Sequence, residues 1–356
     1  MKELIHGGDV AGYREAYGRE PLDFSANINP FGLPEGVKKV VIGALAEADR
    51  YPDPLCRRLC RAIAGAEGTP AEAVLCGNGA ADLIYRLASA LRPKKAMVLA
   101  PTFAEYELAL TGAGCAVCRH LLGPEEDFCL TERILPELTS DLELLALCNP
   151  NNPTGQPIDP ELLLKIAKVC RRQGIRLLLD ECFLDFLEDG EKRSLKSRLA
   201  EFPNLMILKA FTKSYAMAGI RLGYLLCRDR LLLDKLARAG QPWAVSGLAQ
   251  AAGVAALQEK DYLARSRRAI AAEREGMKTA LAALGLKVIG SQANYLFFRG
   301  GPLDLPARLK EEGILVRSCD NYPGLPSGYC RAAVRTPAEN HRLLAALEKV
   351  LPKKEA

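Results

Sequence analysis

Short apolar segments alternate with amphipathic segments over the first two thirds of the chain, and this alternation restricts the fold more than any other feature. The apolar segments predict strands at residues 73–77, 95–101, 143–150, 175–181, 205–210 and 222–227. The amphipathic segments predict helices at residues 36–48, 54–66, 80–91, 103–112 and 159–173. Because strands that are apolar throughout are buried on both faces, the pattern indicates a large, mostly parallel sheet with helices on both faces.

The two ends of the chain follow other patterns. Residues 1–35 are rich in turn residues and predict an extended arm that contributes to the small domain and the active site. Helical sequence dominates residues 230–284, and the segments KVIGSQANYLFFR and GILVRS then predict a small second sheet with a last helix at 337–350. The expected fold is α/β, with a large domain at 36–240 and a connecting helix plus a smaller α+β C-terminal domain at 241–356.

Charge and cysteine usage narrow the classes of partner. The 48 basic and 43 acidic residues are interspersed, so we expect no nucleic-acid or membrane partner. No apolar segment resembling a signal peptide follows Met1, and we expect a cytoplasmic protein. The twelve cysteines lie mostly in apolar segments and are expected to be reduced. The single C-x-x-C, Cys115–Cys118, has no second pair beside it, so no metal site is expected.

Polar residues or glycines follow five of the predicted strands. Ligands of parallel sheets bind beyond the carboxyl ends of the strands, so these residues predict one shared site. Each of them alone has an ordinary explanation, such as a tight turn. They are Gly77-Asn78-Gly79, Thr102-Phe103, Asn151-Asn152, Asp180 and Thr212-Lys213.

The segment CGNGAADLIYRLA combines the end of a strand with the start of a helix. The unpaired N–H groups of a first helical turn attract anions, although a simple tight turn is the alternative. Asp82 occupies the position of the third glycine in a dinucleotide-binding fingerprint, which argues against a nicotinamide dehydrogenase. The sequence also lacks the phosphate-binding motif of nucleoside triphosphatases.

Asp180 and Lys213 are the candidate catalytic residues. A carboxylate that ends a buried strand needs a cation or a donor, and Asp180 could serve a protonated ring nitrogen, cap a helix or bind a metal. Lys213, beside a cation such as Arg221, would have a lowered pKa and could form a Schiff base. The alternative for Lys213 and Arg221 is that they are solvated loop charges. A Schiff-base lysine, a carboxylate for a pyridinium nitrogen and a phosphate site together indicate pyridoxal phosphate.

Four motifs resemble the fold-type I pyridoxal-phosphate enzymes of the histidinol-phosphate aminotransferase branch. They are NPNNPTG (149–155), DECF (180–183), FTKSYAMAGIRLGY (211–224) and RYP (50–52), and the resemblance covers essentially the whole chain. It implies that Lys213 forms the Schiff base, Asp180 pairs with the ring nitrogen and Asn152 with the ring oxygen. Phe103 would stack on the ring, and Tyr51 would reach the phosphate from the other subunit of a homodimer. The phosphate would be held by Gly79, Ala80, Ala81, Thr212 and Arg221.

Three further segments are similar to the threonine-phosphate decarboxylases of cobalamin side-chain synthesis. They are HGGD (6–9), DFSANINPFGLP (23–34) and RSCDNYPGL (317–325). Asp9 departs from the expected asparagine. Phe183 replaces a tyrosine found in many aminotransferases and cannot donate a hydrogen bond. The resemblance implies that substrate binds at His6, Gly7, Asn27, Tyr51, Asn152, Arg317 and Arg331; without it, Arg317 and Arg331 would be read as exposed charges and His6 as a terminal residue outside the site.

These motifs predict a lyase that decarboxylates L-threonine O-3-phosphate to (R)-1-aminopropan-2-yl phosphate, with Lys213 returning a proton to Cα. Three alternatives remain open. L-serine O-phosphate lacks only one methyl group, which is worth about 1–3 kcal/mol of discrimination. Histidinol-phosphate aminotransferase uses the same scaffold, and a binding protein without turnover would keep the fold alone.

Overall fold

The computed structural model describes residues 6–352 and contains one large and two small sheets. The large sheet has the strand order β2-β8-β7-β6-β5-β3-β4, a second sheet has the order β12-β13-β10-β9, and β1 pairs with β11. The strands are β1 Leu22–Asp23, β2 Val74–Gly77, β3 Lys95–Ala100, β4 Ala116–Leu121, β5 Leu144–Cys148, β6 Arg176–Asp180, β7 Leu205–Ala210, β8 Gly223–Cys227, β9 Lys287–Ile289, β10 Tyr295–Arg299, β11 Ile314–Leu315, β12 Arg317–Ser318 and β13 Tyr329–Ala333.

Helices cover both faces of the large sheet. The α-helices are α1 Val10–Tyr17, α2 Glu35–Ala44, α3 Arg57–Glu67, α4 Ala80–Leu91, α5 Glu105–Gly112, α6 Pro160–Gln173, α7 Gly190–Arg193, α8 Phe211–Ser214, α9 Arg230–Ala239, α10 Gly247–Ala256, α11 Tyr262–Ala283, α12 Leu305–Glu311 and α13 Pro337–Val350. Their ends follow the sequence: Asp159 caps α6 through Glu161 and Leu162 N–H groups, Pro160 opens it, and Gly174 closes it in the left-handed region.

The large sheet is mostly parallel, as predicted, with one exception that its sequence does not show. β8 runs antiparallel between β2 and β7, whereas the other strands run in one direction. The residues of β5, β7 and β8 are all buried, because hydrophobic clusters lie on both faces of the sheet. The edge strand β4 was not predicted, since Arg119 and His120 interrupt its apolar pattern.

The amino-terminal arm differs from the extended segment that its sequence predicts. Residues 10–17 form α1, because the Asp9 carboxylate accepts a hydrogen bond from the Gly12 N–H at 3.0 Å and caps the helix. Asparagine caps helices equally well, so the departure at Asp9 preserves a capping side chain. After α1, the chain enters β1 and pairs with β11 of the C-terminal region in parallel register.

The second sheet supplies the C-terminal wall of the site. β10 pairs antiparallel with β9 and β13, and β12 pairs with β13 so that Arg317 lies opposite Arg331. The segment GILVRS therefore contributes to two sheets, with β11 against the arm and β12 against β13. Within residues 6–352, no helix combines the length and the apolar character needed to cross a membrane.

Candidate active site

A cavity of about 250 Å³ lies beyond the carboxyl ends of the parallel strands of the large sheet. The arm and the second sheet close its other sides. Most residues that the sequence predicted for the site line this cavity. They are His6, Gly7, Asn27, Ala80, Ala81, Phe103, Asn152, Asp180, Phe183, Thr212, Lys213, Arg221, Arg317 and Arg331. Gly79 lies next to the cavity wall, and Tyr51 lies elsewhere on the surface.

Asp180 is the last residue of β6, and its carboxylate accepts two hydrogen bonds. Oδ2 accepts from the Tyr106 hydroxyl at 2.6 Å, and Oδ1 accepts from the Cys182 N–H at 2.9 Å. Burial nevertheless raises the pKa of Asp180, because these two donors are neutral and offset desolvation only in part. A cationic group in the cavity would restore the charged form.

Lys213 lies on α8, directly after β7, with its amine in the cavity. Burial is the main reason that its pKa is lowered to about 8, and the Arg331 charge is the next. Arg221 contributes less than Arg331. The predicted direction is therefore confirmed, but the principal cation is Arg331, which the sequence separates from Lys213 by more than a hundred residues.

The turn between β2 and α4 forms a narrow cradle. Gly79 has φ +84°, and a Cβ atom built there would lie 2.7 Å from Arg221 Nη2. A Cβ atom at Gly223 would lie 2.7 Å from the Ala80 nitrogen. Asp82 accepts from the Asn78 N–H at 2.8 Å and so holds the turn. The N–H groups at the start of α4 and the Arg221 guanidinium together suit a phosphate group.

Two arginines from the second sheet define the opposite side of the cavity. Arg331 is buried and donates to Asn152 Oδ1 and, at 2.6 Å, to the Ser25 carbonyl. Arg317 donates to Asn321 Oδ1 at 2.7 Å, and its guanidinium lies 5.3 Å from the Tyr322 ring centroid. Both therefore present cationic groups to the cavity from positions fixed by β12 and β13.

The arm adds polar groups to the same cavity. His6 Nε2 lies 2.5 Å from Glu105 Oε1, and its ring centroid is 5.5 Å from that of Phe103. Asn27 is buried, and its Oδ1 atom has no hydrogen-bond partner among the described residues. A buried amide oxygen without a donor indicates that a ligand completes the site.

The sequence did not reveal every lining residue. The additional ones are Ser25, Ala26, Tyr106, Cys148, Cys182, Ala210 and Tyr322. Tyr106 follows Phe103 by three residues, and their rings pack edge to face at 5.6 Å between centroids. A second aromatic residue three positions after Phe103, close to the end of a strand, is the sequence feature that could have predicted Tyr106. Tyr322 lies inside the segment RSCDNYPGL, which also contains Arg317.

Comparison with known proteins agrees with this geometry. The family model for aminotransferase class I and II matches residues 19–347. The chain belongs to this family. A threonine-phosphate decarboxylase of Salmonella typhimurium is 42% identical over 97% of this chain and 96% of its own length. The resemblance inferred from the motifs is thereby confirmed.

Two solved structures share the fold. The histidinol-phosphate aminotransferase of Clostridium acetobutylicum superposes with a TM-score of 0.86 and 29% identity, covering 92% of this chain and 98% of that one. The L-threonine-O-3-phosphate decarboxylase of Porphyromonas gingivalis gives a TM-score of 0.82 and 26% identity over the same shares. The predicted fold-type I architecture is confirmed.

Pyridoxal phosphate is the cofactor of this aminotransferase-family chain. Three observations indicate that the residues of the cavity fit this cofactor. The Gly79 cradle has no room for a side chain, and the Arg221 guanidinium borders it. The Asp180 carboxylate is buried without a cationic hydrogen-bond partner among the described residues, as a site for a protonated ring nitrogen requires. The Lys213 amine, with its lowered pKa, faces the same cavity.

Proposed function

We propose that this chain decarboxylates L-threonine O-3-phosphate to (R)-1-aminopropan-2-yl phosphate and carbon dioxide, which supplies the linker of the cobalamin nucleotide loop. The 42% identity to the Salmonella typhimurium threonine-phosphate decarboxylase over nearly the full length carries the proposal. The geometry supports it, because Arg317 and Arg331 face the cavity that contains Lys213. Two arginines give separate anchors for the phosphate and the carboxylate of such a substrate.

The residues around the cavity have distinct roles in this proposal. Pyridoxal phosphate supplies an electron sink for the carbon whose bond breaks. Lys213 would hold the cofactor's aldehyde carbon, Asp180 its ring nitrogen and Asn152 its ring oxygen. Phe103 would pack against the ring. The phosphate would be held by Gly79, Ala80, Ala81, Thr212 and Arg221, and Phe183 would line the ring-oxygen side.

Substrate orientation decides which bond breaks. With pyridoxal phosphate bound, the anchors would determine which bond to Cα is aligned for cleavage, so they would have to orient the carboxylate for reaction rather than the Cα hydrogen. We infer that Arg331, Arg317 and His6 set this orientation, with Gly7, Asn27 and Asn152 completing the site. Lys213 then returns the proton to Cα, and its pKa of about 8 suits a proton donor near neutral pH.

A homodimer completes the proposed site. Tyr51 is 81% exposed and packs on Trp243 with 4.6 Å between ring centroids, at the edge of a surface groove of about 690 Å³. Exposed Ile42, Leu45 and Leu55 belong to the same part of the chain. An apolar surface of this kind suits a subunit interface, from which Tyr51 would reach the partner's phosphate cradle.

We propose an arm at 1–35, a large domain at 36–240 and a small domain at 241–356. The large sheet lies within the second range and the four-stranded sheet within the third, which supports this division. We also propose a cytoplasmic location, since the twelve cysteines are free thiols.

Product identification tests the function. The holoenzyme is incubated with L-threonine O-3-phosphate or L-serine O-phosphate, each with and without a keto-acid acceptor, and carbon dioxide and amines are quantified. We expect carbon dioxide release from phosphothreonine without an acceptor, at a higher kcat/KM than from phosphoserine. Amino transfer without carbon dioxide release would refute decarboxylation and favour the aminotransferase alternative.

Tyr106→Phe is expected to weaken cofactor binding by about tenfold, the effect of losing one hydrogen bond to a charged group. The Tyr106 hydroxyl donates to Asp180 at 2.6 Å, and its removal raises the pKa of that carboxyl further. Titration of the apo-protein with pyridoxal phosphate measures the change. Tyr13→Phe is the matched control, because Tyr13 is equally buried but contacts Arg19. Equal affinities for the two variants would contradict a positioning role for Tyr106.

Phe183→Tyr is expected to increase amino transfer relative to decarboxylation by about three- to tenfold. The added hydroxyl supplies a hydrogen bond worth about 0.5–1.5 kcal/mol on the ring-oxygen side of the site. The Phe183 ring centroid lies 5.9 Å from Lys213 Nζ. The ratio of amine transferred to a keto acid to carbon dioxide released gives the result. An unchanged ratio would show that Phe183 does not influence the choice of reaction.

A further inference from the structure

Three cysteine sulfurs meet between α3 and β2, outside the active-site cavity. Cys60 on α3 and Cys76 on β2 have Sγ atoms 3.7 Å apart. Cys56, at the start of α3, lies near enough to Cys76 to contribute to the raised pKa of that thiol. We call these three residues the thiol cluster. Among residues 6–352, no group of three or more cysteine, histidine or acidic side chains is arranged to hold a metal ion.

The members of the thiol cluster differ in accessibility and acidity. Cys60 is partly exposed, whereas Cys56 and Cys76 are buried. The hydrogen bond with Cys76 lowers the pKa of Cys60, and hydrogen bonds with Cys56 and Cys60 raise the pKa of Cys76 well above its ordinary value. An accessible thiol with a lowered pKa beside a buried second thiol suits thiol–disulfide exchange.

We propose that Cys60 and Cys76 form a reversible disulfide by exchange with a low-molecular-weight disulfide, and that Cys60 reacts first. The Cys60 thiolate attacks one sulfur of the small disulfide, whose S–S bond breaks, and the released thiolate takes up the proton that Cys60 lost. Cys76 then loses its proton and attacks Cys60 Sγ, and the second small thiolate leaves and takes up that proton. Two protein thiols are thereby oxidised, and one small disulfide is reduced to two thiols.

The disulfide would act on the phosphate cradle. Bond formation brings the two sulfurs together from 3.7 Å, and the part of this movement that the backbone takes up shifts β2 against α3. β2 ends at Gly77, where an added Cβ atom would lie 2.6 Å from the Leu83 side chain. The strand therefore has little free space before the cradle begins, and a shift of β2 reaches Gly79. Oxidation is expected to loosen the hold on the cofactor phosphate.

Peptide mapping tests the disulfide directly. The holoenzyme is incubated with oxidised glutathione, free thiols are alkylated, and a non-reducing tryptic digest is measured by mass spectrometry. Cleavage after Arg57, Arg58 and Arg61 places the three cysteines of the thiol cluster on separate peptides. We expect a peptide pair joined through Cys60 and Cys76 that disappears on reduction. Its absence from the wild-type digest would overturn the proposal, whatever the variants do.

Two variants identify the first thiol. Cys60→Ser is expected to abolish glutathione incorporation into the thiol cluster, whereas Cys118→Ser, at another partly buried cysteine, leaves it unchanged. Oxidation of Cys76 at the wild-type rate in Cys60→Ser would refute the order of reaction. Pyridoxal phosphate release, followed by absorbance, is expected to be about tenfold faster after oxidation of the wild type, as for loss of one hydrogen bond to an anion. Equal release rates before and after oxidation would overturn the link to the cradle.

Discussion

Replacing Lys213 with alanine is expected to lower carbon dioxide release from L-threonine O-3-phosphate by about 10⁴-fold or more. The variant loses both the amine that holds the cofactor and the group that returns the proton. Its folding should be unaffected, since burial and the Arg331 charge disfavour the lysine ammonium in the native state. Activity, the absorption band of the lysine-bound cofactor and the unfolding temperature are measured together, with Lys235→Ala on the exposed side of α9 as control.

The same lysine predicts a pH dependence that can be measured without turnover. The neutral amine is the form that reacts with the cofactor aldehyde, and the pKa of Lys213 is about 8. The rate at which apo-protein captures pyridoxal phosphate should therefore rise as pH increases through about 8 and then level off. A capture rate that still rises steeply above pH 10 would mean that Lys213 keeps an ordinary pKa. For the preceding prediction, full activity of Lys213→Ala would exclude Lys213 from catalysis.

The sequence predicted the elements with strong local patterns. The helix at 80–91, the strand at 205–210 and the last helix at 337–350 occur within the predicted bounds. Each has a continuous apolar or amphipathic pattern and a clear end. The arm helix α1 was missed because turn residues surround it and its cap, Asp9, is a single side chain.

Long-range relations could not be predicted from local patterns. The direction of β8 depends on its neighbours β2 and β7, and nothing in the run LGYLLC encodes it. Most site residues were found because they follow strands or occur in motifs, whereas Tyr106 was missed because its partner Asp180 is 74 residues away. The pairing of Lys209 with Glu67 spans 142 residues, so no local pattern predicts it either.

Lys209 belongs to a buried network of charges beneath the active site. Its amine donates to Glu67 Oε1 at 2.8 Å and lies 3.4 Å from Asp185 Oδ1. Lys196 also pairs with Glu67 at 3.0 Å, and the Tyr224 hydroxyl donates to the same carboxylate. The side chains of Glu67 and Lys209 are only 7% and 9% exposed. Unlike the Lys213 amine, the Lys209 amine is matched by carboxylates, so its pKa is raised rather than lowered.

The network gives opposing contributions to stability as pH changes. Although burial opposes it, the Lys209 and Lys196 charges lower the pKa of Glu67 from 4.5 to about 2. Glu67 therefore stabilises the native state fully above pH 4.5, by about 3 kcal/mol, and loses this contribution as pH falls toward 2. Burial raises the pKa of Glu181 to about 7. The carboxyl therefore ionises in the unfolded chain before it ionises in the native state, and the native state loses stability as pH rises from 4.5 to 7.

Glu67→Gln is therefore expected to lower the free energy of unfolding at pH 7 by about 3–5 kcal/mol, because Lys209 and Lys196 both lose a buried carboxylate that pairs with them. Urea unfolding gives the value. Lys165→Ala, which breaks the exposed pair with Glu132, should change it by only about 0–1 kcal/mol. Between pH 5 and 3 the wild type should lose more stability than Glu67→Gln, since only the wild type has this carboxylate to protonate. If the free energy of unfolding fell equally in the two proteins between pH 5 and 3, the acid-sensitive group would not be Glu67.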